Sequence, residues 1–281
     1  VRWPVGGIRT FLRYNLNNFE SSKYHFTIIA PEEKELNVLM EDLKKFSITY
    51  IPLREYPSIW EIFYKICFVL WKTKHDIIYS HGFTSGICSV IPAILFRKPH
   101  MLTVHDVFLK NQFEGVKGII KRIILSVIFP FTFDCIHSVS YDAQENLKDF
   151  IPTLKLFNRK LVVIPNGIDI GRFRKIGTCD LIRELELPDD VFLIGFYGRF
   201  MSQKGFIYLV DAIEKLKLYT LPKRLKVLCF GDGGFIREDR AYIKEKGLDD
   251  FFKFLPFTSN IADSLRCMDV VVMPSLWEAC G

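Results

Sequence analysis

Short, unbroken apolar runs recur along this chain, and each ends in a polar or glycine-bearing tip before a helical pattern begins. F-T-I-I-A at 26–30, I-T-Y-I-P at 48–52, D-I-I-Y-S-H-G at 76–82, H-M-L-T-V-H-D-V at 100–107, F-D-C-I-H-S-V-S at 133–140 and K-L-V-V-I-P-N-G-I-D at 160–169 read as strands. Such runs fit strands covered on both faces, and their alternation with helices makes a parallel sheet. Residues 170–190 then lack a long apolar run and are rich in charge, with one short helix near 179–186. From 191 the pattern restarts: V-F-L-I-G-F-Y, L-K-V-L-C-F-G-D-G-G, F-K-F-L and M-D-V-V-V-M-P-S, the last read as another buried strand. The expectation is an α/β protein of two tandem Rossmann-like, doubly wound domains. Residues 1–171 form the first, 172–190 the linker and 191–281 the second. A chain of 281 residues, 49% of them hydrophobic, has length and core enough for both.

The intervening helices are less plainly assigned. Residues 84–96 are apolar nearly all round, which reads as a buried helix. Asp142 is placed to cap the helix that follows it. The stretch 115–129 carries Lys117, Lys121 and Arg122 beside a broad apolar band. It is either a core helix with a wet edge or a basic amphipathic face lying on anionic membrane, and the width of the band favours the core. Residues 1–171 hold 21 Lys and Arg against 16 Asp and Glu, whereas residues 172–281 hold 17 against 16. The basic half suits phosphate or anionic lipid. No dense basic run or aromatic-interleaved motif suits nucleic acid.

Seven cysteines, odd in number, scattered and mostly inside apolar runs, with no C-x-x-C, read as reduced, buried thiols of a cytoplasmic protein. Nothing reads as a signal peptide, and the longest apolar run, 123–133, is too short to span a bilayer and contains Pro130. The chain begins with Val1 and ends at Gly281 inside a motif, so a fragment of a longer protein is expected.

Chemistry concentrates at I-G-F-Y-G-R-F-M-S-Q-K-G, residues 194–205. A strand breaks at Gly198, Arg199 and Lys204 follow, and a helix begins. Free N–H groups at a helix start, a guanidinium and an ammonium together make an anion site; a plain turn with two solvated cations is the competing reading. Gly6 and Gly7, ahead of another helix, allow the same two readings. Gly231 and Gly233 lie in the loop after a strand. His81 and His105 stand at the carboxyl ends of strands, where open α/β sheets place ligands, although a strand histidine is commonly a satisfied structural group.

Taken in order, P-V-G-G, D-I-I-Y-S-H-G, L-T-V-H-D, S-V-S-Y-D-A, V-I-P-N-G-I-D-I-G-R-F, G-F-Y-G-R-F-M-S-Q-K-G, F-G-D-G-G and M-D-V-V-V-M-P-S-L-W-E-A-C-G resemble the retaining GT-B glycosyltransferases of the large nucleotide-sugar-dependent family 4. The resemblance covers nearly the whole chain. It implies an acceptor-side first domain and a second domain that binds a nucleotide-diphosphate sugar. It implies that Arg199 and Lys204 hold the donor diphosphate, with Gly6, Gly7 and Gly281 as backbone contacts. It further implies that His105 lies beside the transferred sugar and that Glu278 reaches the sugar hydroxyls. Gly231 and Gly233 would belong to a donor loop. The second glutamate of the Glu-x7-Glu motif would fall beyond Gly281, so activity of the chain by itself is open.

Breaking a sugar–diphosphate bond leaves negative charge on the departing phosphate, which preplaced cations and amides stabilise. No metal and no cofactor is expected: no D-x-D run stands at a strand end, and GT-B members work without a bound metal. The expected partners are the nucleotide sugar and a glycan or lipid-linked acceptor, with peripheral contact to anionic membrane. Two alternatives stand beside transfer. A nucleotide-sugar epimerase of GT-B-like build would need its own acid and base, and a non-catalytic donor-binding module would bind without turnover.

Overall fold

The computed structural model describes residues 7–32, 34–174, 181–188, 190–258 and 260–280. The chain divides into two units, Val1–Ile168 together with Glu278–Gly281, and Asp169–Trp277. The first unit runs α1 (Gly7–Leu16), β1 (His25–Pro31), α2 (Lys34–Asp42), β2 (Ser47–Leu53), α3 (Ile59–Lys72) and β3 (Ile78–His81). It continues with α4 (Phe83–Leu95), β4 (His100–Val104), α5 (Gly115–Thr132), β5 (Cys135–Ser138), α6 (Tyr141–Phe150) and β6 (Leu161–Val163). The second unit begins with α7 (Ile170–Arg174), α8 (Leu181–Glu184) and β7 (Val191–Tyr197). Then come α9 (Phe206–Leu216), β8 (Arg224–Phe230), α10 (Ile236–Glu245), β9 (Phe252–Leu255), α11 (Ile261–Arg266) and β10 (Val270–Val271).

Every described strand pair is parallel. In the first unit β1 pairs with β2, and β3-β4-β5-β6 form a four-stranded sheet in sequence order. In the second unit the order is β10-β7-β8-β9. There the chain steps from β7 to β8 and β9 on one side, then returns to lay β10 on the other. The carboxyl ends of β7 and β10 therefore flank the point where the winding reverses, the place where such sheets hold ligands. Leu102, Phe129, Phe133, Ile136 and Leu147 centre the core of the four-stranded sheet. Phe196, Phe200, Phe206, Val227 and Cys229 centre that of the second unit.

Five sequence expectations are corrected. Ser140, not Asp142, caps α6: its Oγ accepts from Ala143 N at 3.0 Å, and Asp142 lies two residues on, in the first turn. The helix 84–96 is not buried all round. Ser85, Gly86, Ser89 and Ala93 of α4 face inward while Ile87, Ile91, Ile94 and Leu95 are exposed. A Cβ on Gly86 would stand 2.9 Å from Leu102, so the small side is the one that reaches the sheet. The apolar band of α5 is split: Leu125 and Phe129 enter the core, whereas Val116, Ile119, Ile123 and Val127 are each more than half exposed. Strand β10 is short, and Val270 and Val271 are exposed rather than buried. Among the cysteines, Cys67, Cys88, Cys135, Cys229 and Cys280 are free thiols, but Cys280 is exposed and Cys267 is disulfide-bonded, against the expectation that all are reduced and buried.

Candidate active site

The turn after β7 is held by the loop after β8. Gly198 N donates to Phe230 O at 3.1 Å, Phe200 N to Asp232 O at 3.1 Å, and Phe235 N to Phe200 O at 3.1 Å. Phe200 is fully buried, its ring 5.0 Å from Phe206 and 5.3 Å from Phe254. Arg199 lies between these two anchored residues and is exposed, so its backbone is fixed while its guanidinium is presented outward. Glycine is obligatory in the partner loop. Gly231 has φ +135°, and a Cβ there would meet Gly198 O at 2.1 Å; a Cβ on Gly233 would meet Phe200 O at 2.4 Å.

Lys204 closes the same connection. Its N–H donates to Met201 O at 2.9 Å, and Gly205 follows at φ +62°, where a Cβ would meet Pro274 O at 2.1 Å. Gln203 ties this turn to the segment after β10: its carbonyl accepts from Leu276 N at 2.8 Å and its Nε2 donates to Trp277 O at 2.9 Å. Arg199, Lys204, Gly231 and Gly233 are thus brought together at the reversal point of the second sheet, with the N-terminus of α9 beginning at Phe206.

In the first unit three histidines gather at the carboxyl edge of β3, β4 and β5. His81 Nδ1 lies 3.1 Å from His105 Nε2, and the ring of Phe11 on α1 stands 5.6, 5.0 and 5.7 Å from the rings of His81, His105 and His137. A hydrogen bond between two imidazoles needs a lone pair on one of them, so both cannot be cations. Burial pushes His105 down to about 4, with the neighbouring His137 adding to it. Burial first, then His105, holds His81 well below its usual value. Gly7 opens α1 one turn before Phe11, and among the described residues no atom lies within 4 Å of where its Cβ would be. Neither packing nor backbone angle demands glycine there, unlike at 231 and 233.

The strand-end signal for this cluster was only partly read from the sequence. Y-S-H, V-H and I-H-S close three successive strands, and the register sets His81 beside Thr103 and Thr103 beside His137. His137 and the covering Phe11 were not singled out, because one buried histidine looks like any other until the strands are aligned. Glu278 is half-buried. The next residue, Ala279, packs on Val139, Ala143 and Val107, and its carbonyl accepts from Ser140 Oγ. Gly6 and Gly281 lie outside the described residues. No group of three His, Cys, Asp or Glu is placed to hold a metal among the described residues.

Residues 5–172 match the profile of Glycosyltransferase Family 4, and residues 191–281 that of the Glycosyl transferases group 1. The chain belongs to glycosyltransferase family 4. Over 214 residues this family 4 chain is 28% identical to the UDP-Gal:alpha-D-GlcNAc-diphosphoundecaprenol alpha-1,3-galactosyltransferase of Escherichia coli, covering 75% of the chain and 54% of the relative. Over 277 residues it is 23% identical to the capsular polysaccharide biosynthesis glycosyltransferase CapH of Staphylococcus aureus, covering 96% of the chain and 71% of the relative. The chain spans about half the length of most curated relatives it matches. Among solved structures, Anabaena Alr3699/HepE in complex with UDP-glucose superposes with a TM-score of 0.73 at 17% identity, over 98% of this chain and 72% of that one. WaaG, a glycosyltransferase involved in lipopolysaccharide biosynthesis, gives 0.69 at 14% identity, over 99% and 74%. These likenesses show the GT-B fold for the family 4 chain.

Proposed function

We propose that the protein transfers a sugar from a nucleotide-diphosphate donor to a glycan or lipid-linked acceptor, with retention of configuration and without a bound metal or other cofactor. The observation that carries this reading is the locked turn of the second unit, which presents Arg199 from a backbone anchored on both sides. A guanidinium grips two phosphate oxygens at once, and an ammonium adds a point charge. Both are in place before the sugar–phosphate bond breaks, so the charge that develops on the leaving diphosphate needs no reorganisation to be met. Gly231 and Gly233 let the donor loop lie against that turn, and Gly7 leaves open space at the start of α1 for a backbone contact.

His105 contributes hydrogen bonding at the sugar as a neutral ring, in keeping with its depressed pKa of about 4. Glu278 orients the sugar by its hydroxyls, which is positioning rather than bond chemistry. The name of the E. coli relative specifies a UDP-galactose donor and a diphosphoundecaprenol-linked acceptor, which supports a uridine nucleotide and a lipid-linked sugar here. Such an acceptor sets the work at the cytoplasmic face of a membrane, with the enzyme held peripherally.

Replacing Arg199 and Lys204 together by alanine is expected to cut UDP affinity by about a hundredfold or more, as two charge-assisted contacts are each worth roughly 1.5–3 kcal/mol. Calorimetric titration with UDP and turnover of UDP-sugar test it; a double variant that binds and turns over donor as before rejects the assignment. Chelation by EDTA should leave the rate unchanged, and proton NMR of the newly formed linkage should show the donor's anomeric configuration.

A further inference from the structure

We propose that the outward faces of α3, α4 and α5 form one docking surface for an anionic lipid bilayer. This deepens the proposed use of a lipid-linked acceptor and rests on that reading for its purpose. The argument for the surface itself is independent. On α5, Val116, Ile119, Ile120, Ile123, Val127 and Phe131 are each at least half exposed, at spacings of three and four. On α4, Ile91, Ile94 and Leu95 are 61–66% exposed. On α3, Trp60, Tyr64 and Trp71 are 64–77% exposed. Scattered exposed apolar residues are ordinary; three neighbouring helices with outward apolar stripes are not.

The stripes share one side of the unit. Strands β3, β4 and β5 are successive neighbours, so right-handed crossovers set α4 and α5 on the same side of their sheet. Helix α3 packs along α4. At the start of α4, Phe83 stacks on Phe108 at 4.1 Å and meets Phe129 of α5 at 6.1 Å.

Charge selects the occupant. The three helices carry Lys65, Lys72, Lys117, Lys121 and Arg122 against a single acid, Glu61. That acid is already engaged, accepting from Arg54 N at 2.9 Å. A second copy docking by a two-fold contact would set these cations against themselves. An anionic bilayer supplies both an apolar phase for the isoleucines and negative headgroups for the lysines. Trp60, Tyr64 and Trp71 suit the headgroup level, where aromatic rings are enriched. No described helix is long and apolar enough to cross a membrane, so the surface lies on the bilayer. Helix α5 also starts just past the carboxyl end of β4, the edge where His105 stands. The docked face therefore begins beside the edge at which a lipid-borne acceptor would be glycosylated.

The test is co-sedimentation of the purified chain with phosphatidylcholine vesicles with and without phosphatidylglycerol, alongside UDP titration. Vesicles containing phosphatidylglycerol should bind about tenfold more tightly, and added salt should weaken the binding. Ile91→Glu with Ile123→Glu should lose about tenfold or more in partitioning while circular dichroism and UDP affinity stay unchanged. Emission from Trp60 and Trp71 should shift to the blue and be quenched by brominated lipid, and the shift should vanish in Trp60→Phe with Trp71→Phe. Equal binding to both vesicle types, no binding, or undiminished binding by the glutamate variant overturns the proposal. So does a lipid-free dimer in sedimentation velocity that Ile123→Glu dissociates, since the face would then be a self-interface. UDP binding without vesicle binding removes the surface and leaves the transfer reading standing; vesicle binding without UDP binding does the reverse.

Discussion

His137 has no choice about which ring nitrogen carries its hydrogen. Its Nε2 lies 2.9 Å from Ile164 O, a pure acceptor, so the hydrogen is there. Its Nδ1 must then accept, and Thr103 Oγ1 at 3.0 Å donates to it. Thr103 in turn accepts from Tyr79 OH at 2.9 Å. The chain of bonds runs one way, from Tyr79 to Thr103 to His137 to Ile164, and fixes the floor beneath His81 and His105. Thr103→Val removes the middle link and leaves a buried imidazole nitrogen without a donor, costing about 1–3 kcal/mol, whereas Tyr79→Phe removes one bond from an outer end and costs about 1 kcal/mol. Urea unfolding of the two variants should rank them in that order. Glycines divide in the same way. Gly231→Ala drives a methyl group to 2.1 Å from Gly198 O, so the Arg199 turn must shift. It should lower both Tm and UDP affinity. Gly7→Ala meets nothing within 4 Å among the described residues. It should leave Tm unchanged and weaken UDP alone, and unchanged UDP affinity would remove Gly7 from the proposed donor site.

Helix α6 shows what a capping residue does beyond its own helix. Ser140 Oγ accepts from Ala143 N and also donates to Ala279 O, so one hydroxyl starts α6 and holds the segment that carries Glu278. Ser140→Ala should destabilise the protein by about 1–2 kcal/mol, while Asp142→Asn, which changes only a first-turn charge, should cost a few tenths. Thermal melts of the two variants check which residue is the cap, and equal effects would return the role to Asp142. Strands and their polar tips were legible in the sequence because continuous apolar runs bounded by glycine and proline admit few other readings. The turn at 198–205 was legible because an apolar run breaks there at glycine and two cations precede a helical pattern; of its glycines Gly205 is the one the structure demands, with φ +62° and Pro274 O 2.1 Å from where a Cβ would stand. Helix orientation was not. In α4 the serines and glycine face the sheet and the isoleucines face out, so hydrophobicity alone pointed the wrong way. What decides is size, since Leu102 leaves no room for a Cβ at position 86. The same error hid the exposed face of α5. Strand-end histidines were legible one at a time, but their meeting depends on register, which a sequence does not show.

The two units differ in how protons act on them. All six histidines, at 25, 75, 81, 100, 105 and 137, belong to the first unit. Burial lowers His105 and His100 to about 4, holds His81 well below its usual value and lowers His137. A histidine whose folded pKa lies below its unfolded value binds its proton more readily when unfolded. Its contribution is present above about 6.5 and is lost as pH falls towards 4, a loss on the order of a few kcal/mol over the group. Asp239 in the second unit goes the other way. Burial, with Glu238 nearby, raises its carboxyl to about 6. A raised carboxyl is protonated more readily in the folded state, so that contribution is present below about 4 and is lost as pH rises through 6. Between pH 7 and pH 5 the first unit should therefore lose stability while the second holds or gains. Hydrogen exchange read by mass spectrometry separates them, since peptides from β3–β5 and from β7–β8 report on different units. Protection should fall in the first set at pH 5, after correction for intrinsic exchange rates, and not in the second. A parallel fall in both would mean that burial of the histidines does not govern acid stability. His100→Gln should flatten the first unit's response, because His100 is buried against Ser80 and Phe133 and stands apart from the His81–His105 pair.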